Sequence, residues 1–504
     1  MLNQAVYDIC IIGGGINGTG IARDAAGRGF SVLLVERGDL GEGMSSRSSK
    51  LVHGDLRDLE RRRFRLVRQA LEERDTLLAI APHIVRPLRL VLPHDPEFGR
   101  PWWMLGLGLD LYESLHKSKR RRLPARSRLD LTKEAEGRLL KPGFRRGFAY
   151  SDCRVDDARL VILNAVAAAG LGAAIMPRTA CTAARRAEGL WRVTLKNSLT
   201  EATRDVKARA LVNAAGPWAD RVLAEALGRT ARPRRPLVRS SHILVPALYE
   251  GDQAYVLQQP ERGLVHVTPF EGQFSLVGAV EVAHDGEPDD PHPSPDEIGS
   301  LCAAVSRAFR REVTADDVRY AFAGIRPLIE GREGKAADHV IEVEGEREEA
   351  PLLTVFGGRI TTYRRLAEAV LDKLKTWFPN LRPSWTATAP LPGGDMPEAD
   401  FARFLRGFRR RRPWLPPHMS LRLARAYGTQ ADALLEGARS LDDLGRSFGA
   451  GLTEREVHWQ IEHEWAMSAE DILWRRTRLG FHMTAEERRT LTTWMLRTAL
   501  PEPA

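Results

Sequence analysis

Cysteine is scarce in this 504-residue sequence: Cys10, Cys153, Cys181 and Cys302 lie far apart, with no CxxC spacing between them. Neither a disulfide framework nor a metal site is expected, and such usage suits a reducing compartment. No stretch reaches the roughly 18 apolar residues that a membrane-spanning helix needs, so no crossing is expected. A basic leader with a cleavage site is also missing. The opening residues MLNQAVYDICIIGGG run from an apolar stretch straight into glycines, which reads as a first strand, so the protein is expected to fold from its first residues and stay inside the cell. No internal repeat or low-complexity tract interrupts the chain.

What is present is an ordinary globular composition, 43% hydrophobic and 28% charged. Single cores stop growing near about 250–300 residues, so two or three domains are expected. The net charge of +9 comes largely from arginine-rich clusters at Arg61 to Arg68, Lys117 to Arg122, Arg232 to Arg235 and Arg409 to Arg412. Such an excess points to anionic partners: nucleic acid, phosphorylated metabolites or acidic lipid surfaces. The clusters are scattered and no nucleic-acid motif accompanies them, so nucleic acid is not expected as a partner.

Residues 5–36 read as strand, glycine turn, helix and strand, one βαβ unit of a parallel sheet. A polar loop leads to an amphipathic helix from Phe64 to Leu78, and residues 83–128 read as an insertion outside the nucleotide fold. The helical pattern VDDARLVILNAVAAAG, a hairpin and the buried strand ARALVNAAG return to the first sheet. Residues 236–323 alternate as antiparallel strands do. A further strand, glycine turn and helix fill 352–374, and after a Pro-rich link only helical patterns remain.

Gly13, Gly15 and Gly18 directly follow the first strand and open a helix, with Ile16 and Asn17 between them. Glycine there permits a tight turn and lets backbone N–H groups approach a pyrophosphate at the helix N-terminus. Glu36 closes the second strand about 20 residues later, where a carboxylate accepts from an adenosine ribose and repels a 2′-phosphate. This motif leaves NAD and FAD both open. LVNAAGPWAD, containing Gly216, and VFGGRITTYRRLAE, containing Gly358 and Thr361, favour FAD, because a flavin needs further turns around its ring and ribityl chain.

The segments IIGGGINGTGIARDAAGRG, SSRSSKLVHG, YSDCRVDDARLV, LVNAAGPW, SHILVP, GIRPL, FGGRITTYRRLAE and DILWRRTR occur in that order. They resemble the flavin-dependent, quinone-linked glycerol-3-phosphate dehydrogenase family over nearly the whole chain. The resemblance implies an α/β fold: a Rossmann-like FAD-binding domain of the D-amino-acid oxidase and glutathione reductase kind, an antiparallel β-sheet substrate cap and a helical C-terminal domain. The implied boundaries are 1–80, 145–235 and 325–385 for the FAD domain, 81–144 and 236–324 for the cap, and 390–504 for the last domain. Ser45, Ser46, Ser49, Lys50 and Leu51 would join the glycines at the cofactor. The implied reaction oxidises sn-glycerol 3-phosphate to dihydroxyacetone phosphate, with hydride passing to flavin N5 and electrons to a quinone. His242 and Arg326 would sit at the reacting hydroxyl, His242 as proton acceptor and Arg326 as a fixed fork of donors. Arg57 would clamp the substrate anion, with Asp58, Arg359 and Thr362 beside it. The resemblance leaves room for a homodimer.

The sequence departs from the family at the substrate end. HGDLRDLE carries Asp55 and Asp58 where the family reads HGGLRYLE, Arg359 replaces a lysine, Ala337 aligns with an arginine, and GAVE at 278–281 replaces Gly-Thr-Thr-Asp. Arg332 or Lys335 would have to reach the space of the lost arginine. An unpaired carboxylate beside phosphate costs about 1 kcal/mol at 4 Å in water and about 4 kcal/mol at an effective dielectric of 20. Asp58 therefore requires a cationic partner, Arg57 or Arg359. Two further readings stay open: a paralogue acting on another phosphorylated, phosphonylated or unphosphorylated polyol, with oxygen as an alternative acceptor, and a flavin-binding protein without catalysis. WWMLGLGLDLY at 102–112 beside HKSKRRRLPARSR suits attachment to an anionic membrane surface on the inner face of the cell membrane.

Overall fold

The structure, a computed structural model, describes residues 6–116, 123–229, 235–260, 263–289, 291–329 and 337–498. The first apolar run forms strand Val6–Ile12, whose Ile9, Cys10 and Ile11 are fully buried. Burial on both faces explains why it reads as a continuous hydrophobic stretch and not as an alternation. Its sheet runs in the order His339–Glu344, Leu352–Gly357, Thr203–Asn213, Val6–Ile12, Val32–Val35, Ala174–Met176. The last five strands are parallel, and the antiparallel hairpin Thr179–Ala187/Leu190–Asn197 extends Thr203–Asn213. Helices Ile16–Gly27, Asp157–Gly170 and Tyr363–Lys373 cover one face with small and aliphatic side chains.

A nine-stranded sheet forms the cap. Its pairs are antiparallel except where Ala254–Gln258 runs parallel to Val85–Pro93. The sheet recruits Leu51–Val52 and Arg146–Val155, strands that the expected boundaries gave to the FAD domain. Alternation within a strand reports its two faces and carries no information about which sheet will take its edges. The chain thus crosses between the two sheets repeatedly, and the loops at the crossings surround the candidate site.

Beyond residue 396 the chain is mainly helical, but Ser447–Gly449 and Leu452–Thr453 add a two-stranded sheet absent from the sequence reading. A buried charged seam joins this region to the FAD domain. Arg159 donates to both oxygens of Glu464 at 2.5 and 2.8 Å, and Arg476 donates to both of Asp39 at 2.6 and 2.8 Å. The segment DILWRRTR therefore works as an interdomain clasp: Asp471 takes Arg178 at 2.7 Å, and Arg478 reaches Asp156 and Asp157 at 2.6 and 2.9 Å.

Candidate active site

The glycine turn opens onto a cavity of about 950 Å³, near the upper end of the about 300–1,000 Å³ typical of ligand sites. Gly13, Gly15, Ile16, Asn17, Glu36, Ser45 and Gly216 line it, as expected of a cofactor site. Gly13 has φ +114°, and a Cβ there would lie 2.6 Å from the Ala214 carbonyl oxygen. A Cβ on Gly18 would lie 1.9 Å from the Gly13 oxygen. The motif thus lets the helix approach the strand that closely. Burial raises the Glu36 carboxyl, while the N–H groups of Gly38 and Gly14 donate to it at 2.8 and 2.6 Å.

The loop from Met44 to Lys50 ties this cavity to the cap. Ser45 Oγ accepts from the Ile16 N–H at 3.0 Å, and Ser49 Oγ meets His242 Nε2 at 2.9 Å. Lys50 is not among the residues that line the cavity: its ammonium donates to the Ser46 carbonyl at 2.9 Å and to Asp157 at 2.7 and 2.9 Å. All three donors are occupied, so Lys50 locks the loop, which the sequence motif alone did not reveal. Leu51 starts the strand paired with Arg154. Asn17 donates to the Gly357 carbonyl at 2.9 Å, beside Gly358 at φ +89°, while Thr361 is buried at the start of the following helix. Asn17 Oδ1 is buried among the lining groups with no partner. An unfilled acceptor, close-approach glycines and a cavity of this size fit FAD.

His242 is 1% exposed, stacked on Phe322 with centroids 5.0 Å apart. It lies across from Gly278, where a Cβ would come within 2.1 Å of the imidazole, so only glycine leaves room for the ring. Desolvation pushes its pKa down to about 4, with Lys50 adding to the effect, so the imidazole is neutral and able to accept a proton. His266 flanks Gly278 on the other side and packs edge-on to His53. Desolvation, with His53 and Arg57, takes His266 down to about 3. Neither His53 nor His266 is marked by the sequence, because only the fold brings the HGDLRDLE segment against strand Leu264–Phe270.

At the substrate end the arginines are interleaved with carboxylates. Arg57 grips Asp55 at 3.1 and 3.2 Å and lies 3.4 Å from Glu281, which also accepts from Arg326 at 3.0 Å. Burial would raise the Asp55 carboxyl, but Arg57, His53 and Arg359 together hold it well below the usual range. Arg359 donates to Asp58 at 2.5 Å and to Asp338 at 3.2 Å, and Arg63 approaches Asp58 at 3.3 Å. Thr362 Oγ1 donates to Asp338. Of the two partners expected for Asp58, the structure supplies Arg359. Glu281 and Asp338 carry roles that sequence reasoning did not assign, and Arg332 and Lys335 fall outside the described residues.

The family model for FAD dependent oxidoreductases matches residues 8–364, and that for the C-terminal domain of alpha-glycerophosphate oxidase matches residues 384–495. The chain is 45% identical over 498 residues to a D-erythritol 1-phosphate dehydrogenase of Brucella abortus, covering 98% of each chain. It is 46% identical over 486 residues to a glycerol-3-phosphate dehydrogenase of Pseudomonas aeruginosa, covering 96% of this chain and 93% of the relative. The glycerol-3-phosphate dehydrogenase from Bacillus halodurans, solved with FAD, superposes with a TM-score of 0.76 at 25% identity, covering 98% of this chain and 95% of that one. The chain therefore belongs to the FAD-dependent oxidoreductases and pairs their catalytic fold with the C-terminal domain of the alpha-glycerophosphate oxidases.

Proposed function

We propose that the protein oxidises a secondary alcohol of a short polyol phosphate to the ketone, with sn-glycerol 3-phosphate giving dihydroxyacetone phosphate as the reference reaction. The observation that carries this reading is the neutral, desolvated His242, held by Ser49 on the loop whose Met44, Ser45 and Arg47 line the cofactor cavity, and close to Glu281, which Arg57 and Arg326 both engage. When bound, FAD supplies the hydride acceptor. His242 Nε2 accepts the hydroxyl proton as the carbon–hydrogen bond breaks, and Ser49 fixes the ring through the same nitrogen until substrate displaces it. Arg326 and Arg57 neutralise negative charge on the substrate, giving up part of their hold on Glu281 and Asp55. Burial by the cap sheet keeps water from the reacting carbon.

A longer polyol phosphate is favoured by one specific feature: each guanidinium at the substrate end already has a carboxylate partner. Asp58 and Glu281 add acceptors for extra hydroxyl groups while reducing the net positive charge available to a phosphate. The Brucella relative bears the name of a four-carbon substrate, which agrees with this second reading. Anaerobic bleaching of the flavin absorbance, with sn-glycerol 3-phosphate and D-erythritol 1-phosphate in parallel, separates the two. Faster bleaching by the first supports the reference reaction, and bleaching by the second alone supports the remade pocket. Bleaching by neither removes both and leaves a flavin-binding protein.

The membrane reading rests on helix Trp102–Ser114. No helix of the described residues is long and apolar enough to cross a membrane. This one instead turns Trp103, Met104, Leu107 and Leu111 outward, with Trp103 66% and Leu107 61% exposed, while Leu105, Leu109 and Tyr112 face the core. Exposed apolar groups at i, i+4 and i+8 form one stripe, suited to lying in an anionic lipid surface. Lys117 to Arg122, which would supply the adjacent charge, lie outside the described residues. Electrons then pass to a quinone in that surface. Substrate-dependent oxygen consumption with peroxide formation would assign oxygen instead.

A further inference from the structure

Arg86 and Arg154 face each other directly on the antiparallel strands Val85–Pro93 and Arg146–Val155. Directly opposed side chains share a face, with Cβ atoms about 5 Å apart, and like charges there destabilise the sheet. Both are half-buried, and among the described residues neither has an ion pair or a side-chain hydrogen bond. A third guanidinium arrives from the C-terminal domain. Arg425, on helix Pro417–Tyr427, donates to the carbonyls of Pro82 and His83 at 3.3 Å each, just before the Arg86 strand begins. It lies 3.6 Å over the Phe401 ring, and its Nε is buried with no acceptor.

Each of the three lies within the electrostatic reach of the others. The carboxylates facing them are Glu271, Asp252 and Asp156. Glu271 and Asp156 are already engaged by Arg478 at 3.4 and 2.6 Å, and Asp252 is exposed. Burial, not offset by these anions, pushes Arg154 and Arg425 down to about 9 and lowers Arg86 as well. Buried cations are ordinarily paired, so this arrangement lacks an anion. A phosphate matches the planar donor forks of several guanidinium groups at once.

We propose that Arg86, Arg154 and Arg425 bind a phosphate group, free or on a small soluble ester, which ties the cap sheet to the C-terminal domain. The cluster stands where helix Pro417–Tyr427 meets the residues just before strand Val85–Pro93. The site is separate from the substrate end, where Arg57 and Arg326 stand.

The test follows thermal unfolding of the FAD-loaded full chain while inorganic phosphate or methyl phosphate replaces chloride at constant ionic strength. The wild-type midpoint rises saturably with phosphate. The rise persists in Arg57→Met, which disables the substrate end, and in that background it disappears on adding the double variant Arg86→Met with Arg154→Met, whose methionines keep the apolar stems. A response to both probes means that a phosphate group is read whatever carries it, and a response to inorganic phosphate alone means the free ion. Arg425→Met leaves the sheet untouched and raises the half-saturating concentration by at least about tenfold, the loss of one charge-assisted contact. A wild-type midpoint insensitive to both probes, or an unchanged response in Arg425→Met or the double variant, overturns the proposal.

Discussion

Asp58 and Glu281 put carboxylates where a phosphate is expected, and each is balanced by an arginine contributed from elsewhere in the chain. The match is specific: Asp58 is nearly buried, so its charge depends on Arg359 at 2.5 Å and on the half-exposed Arg63. Arg359→Met should destabilise the protein by about 1–3 kcal/mol, the cost of stripping a partner from a buried acceptor, as measured by urea unfolding. An equal midpoint would show that Arg63 alone suffices. His242→Asn should keep its flavin but lose about 10²–10⁴-fold in the rate of flavin reduction, read by anaerobic stopped flow; a rate within threefold of wild type would remove His242 as the base. Acid stability follows from the same cluster. The unfolded chain protonates His242 and His266 near their ordinary 6.5, whereas the folded one resists until about 4 and about 3. Their contribution is thus present above 6.5 and lost as pH falls through those lower values. Unfolding midpoints should drop as pH falls from about 6.5 to about 4, and by less in His266→Asn.

At the scale of elements, helix Trp102–Ser114 combines two faces with different partners. Inside, Tyr112 accepts from the Gly54 N–H at 2.8 Å and donates to Asp152 at 2.9 Å, fixing the helix against the loop that carries Asp55 and Arg57. Outside, the stripe of Trp103, Leu107 and Leu111 is exposed among the described residues. Trp103→Ser with Leu107→Ser should abolish cosedimentation with anionic vesicles while leaving the unfolding midpoint within about 0.5 kcal/mol of wild type, as for other exposed substitutions. Retained vesicle binding would place the membrane surface elsewhere. The sequence showed an apolar segment beside basic residues but not its orientation: Trp102 turns inward to stack on Phe148 at 4.1 Å, and its neighbour Trp103 turns out.

For the whole molecule, the charged seam reaches the segment that lines the cofactor cavity. Asp39 follows three residues after Glu36 and is 1% exposed, clasped by Arg476 and Arg475 from the last domain. Arg476→Met should cost about 3 kcal/mol, toward the low end for breaking a buried pair because Arg475 remains. It should also weaken FAD binding, since Arg37 and Gly38 between Glu36 and Asp39 line the cavity. Urea unfolding and flavin release on dilution measure the two effects. Loss of stability without any loss of flavin would show that the seam is purely structural.

The sequence by itself determined the parts governed by short-range rules. Strand, glycine turn, helix and acid in order specify a dinucleotide site because backbone geometry permits few alternatives to that pattern. The strand and helix near 352–374 were equally legible from their periods. What only the tertiary structure decided was which distant residues meet. Asp58 finds Arg359 at a separation of 301 residues, Leu51–Val52 and Arg146–Val155 join the cap sheet, and the Lys50 ammonium meets Asp157. These outcomes depend on sheet edges and on burial, since a charge taken out of water must be met by whichever counter-charge the fold brings within reach. Local sequence does not encode that choice.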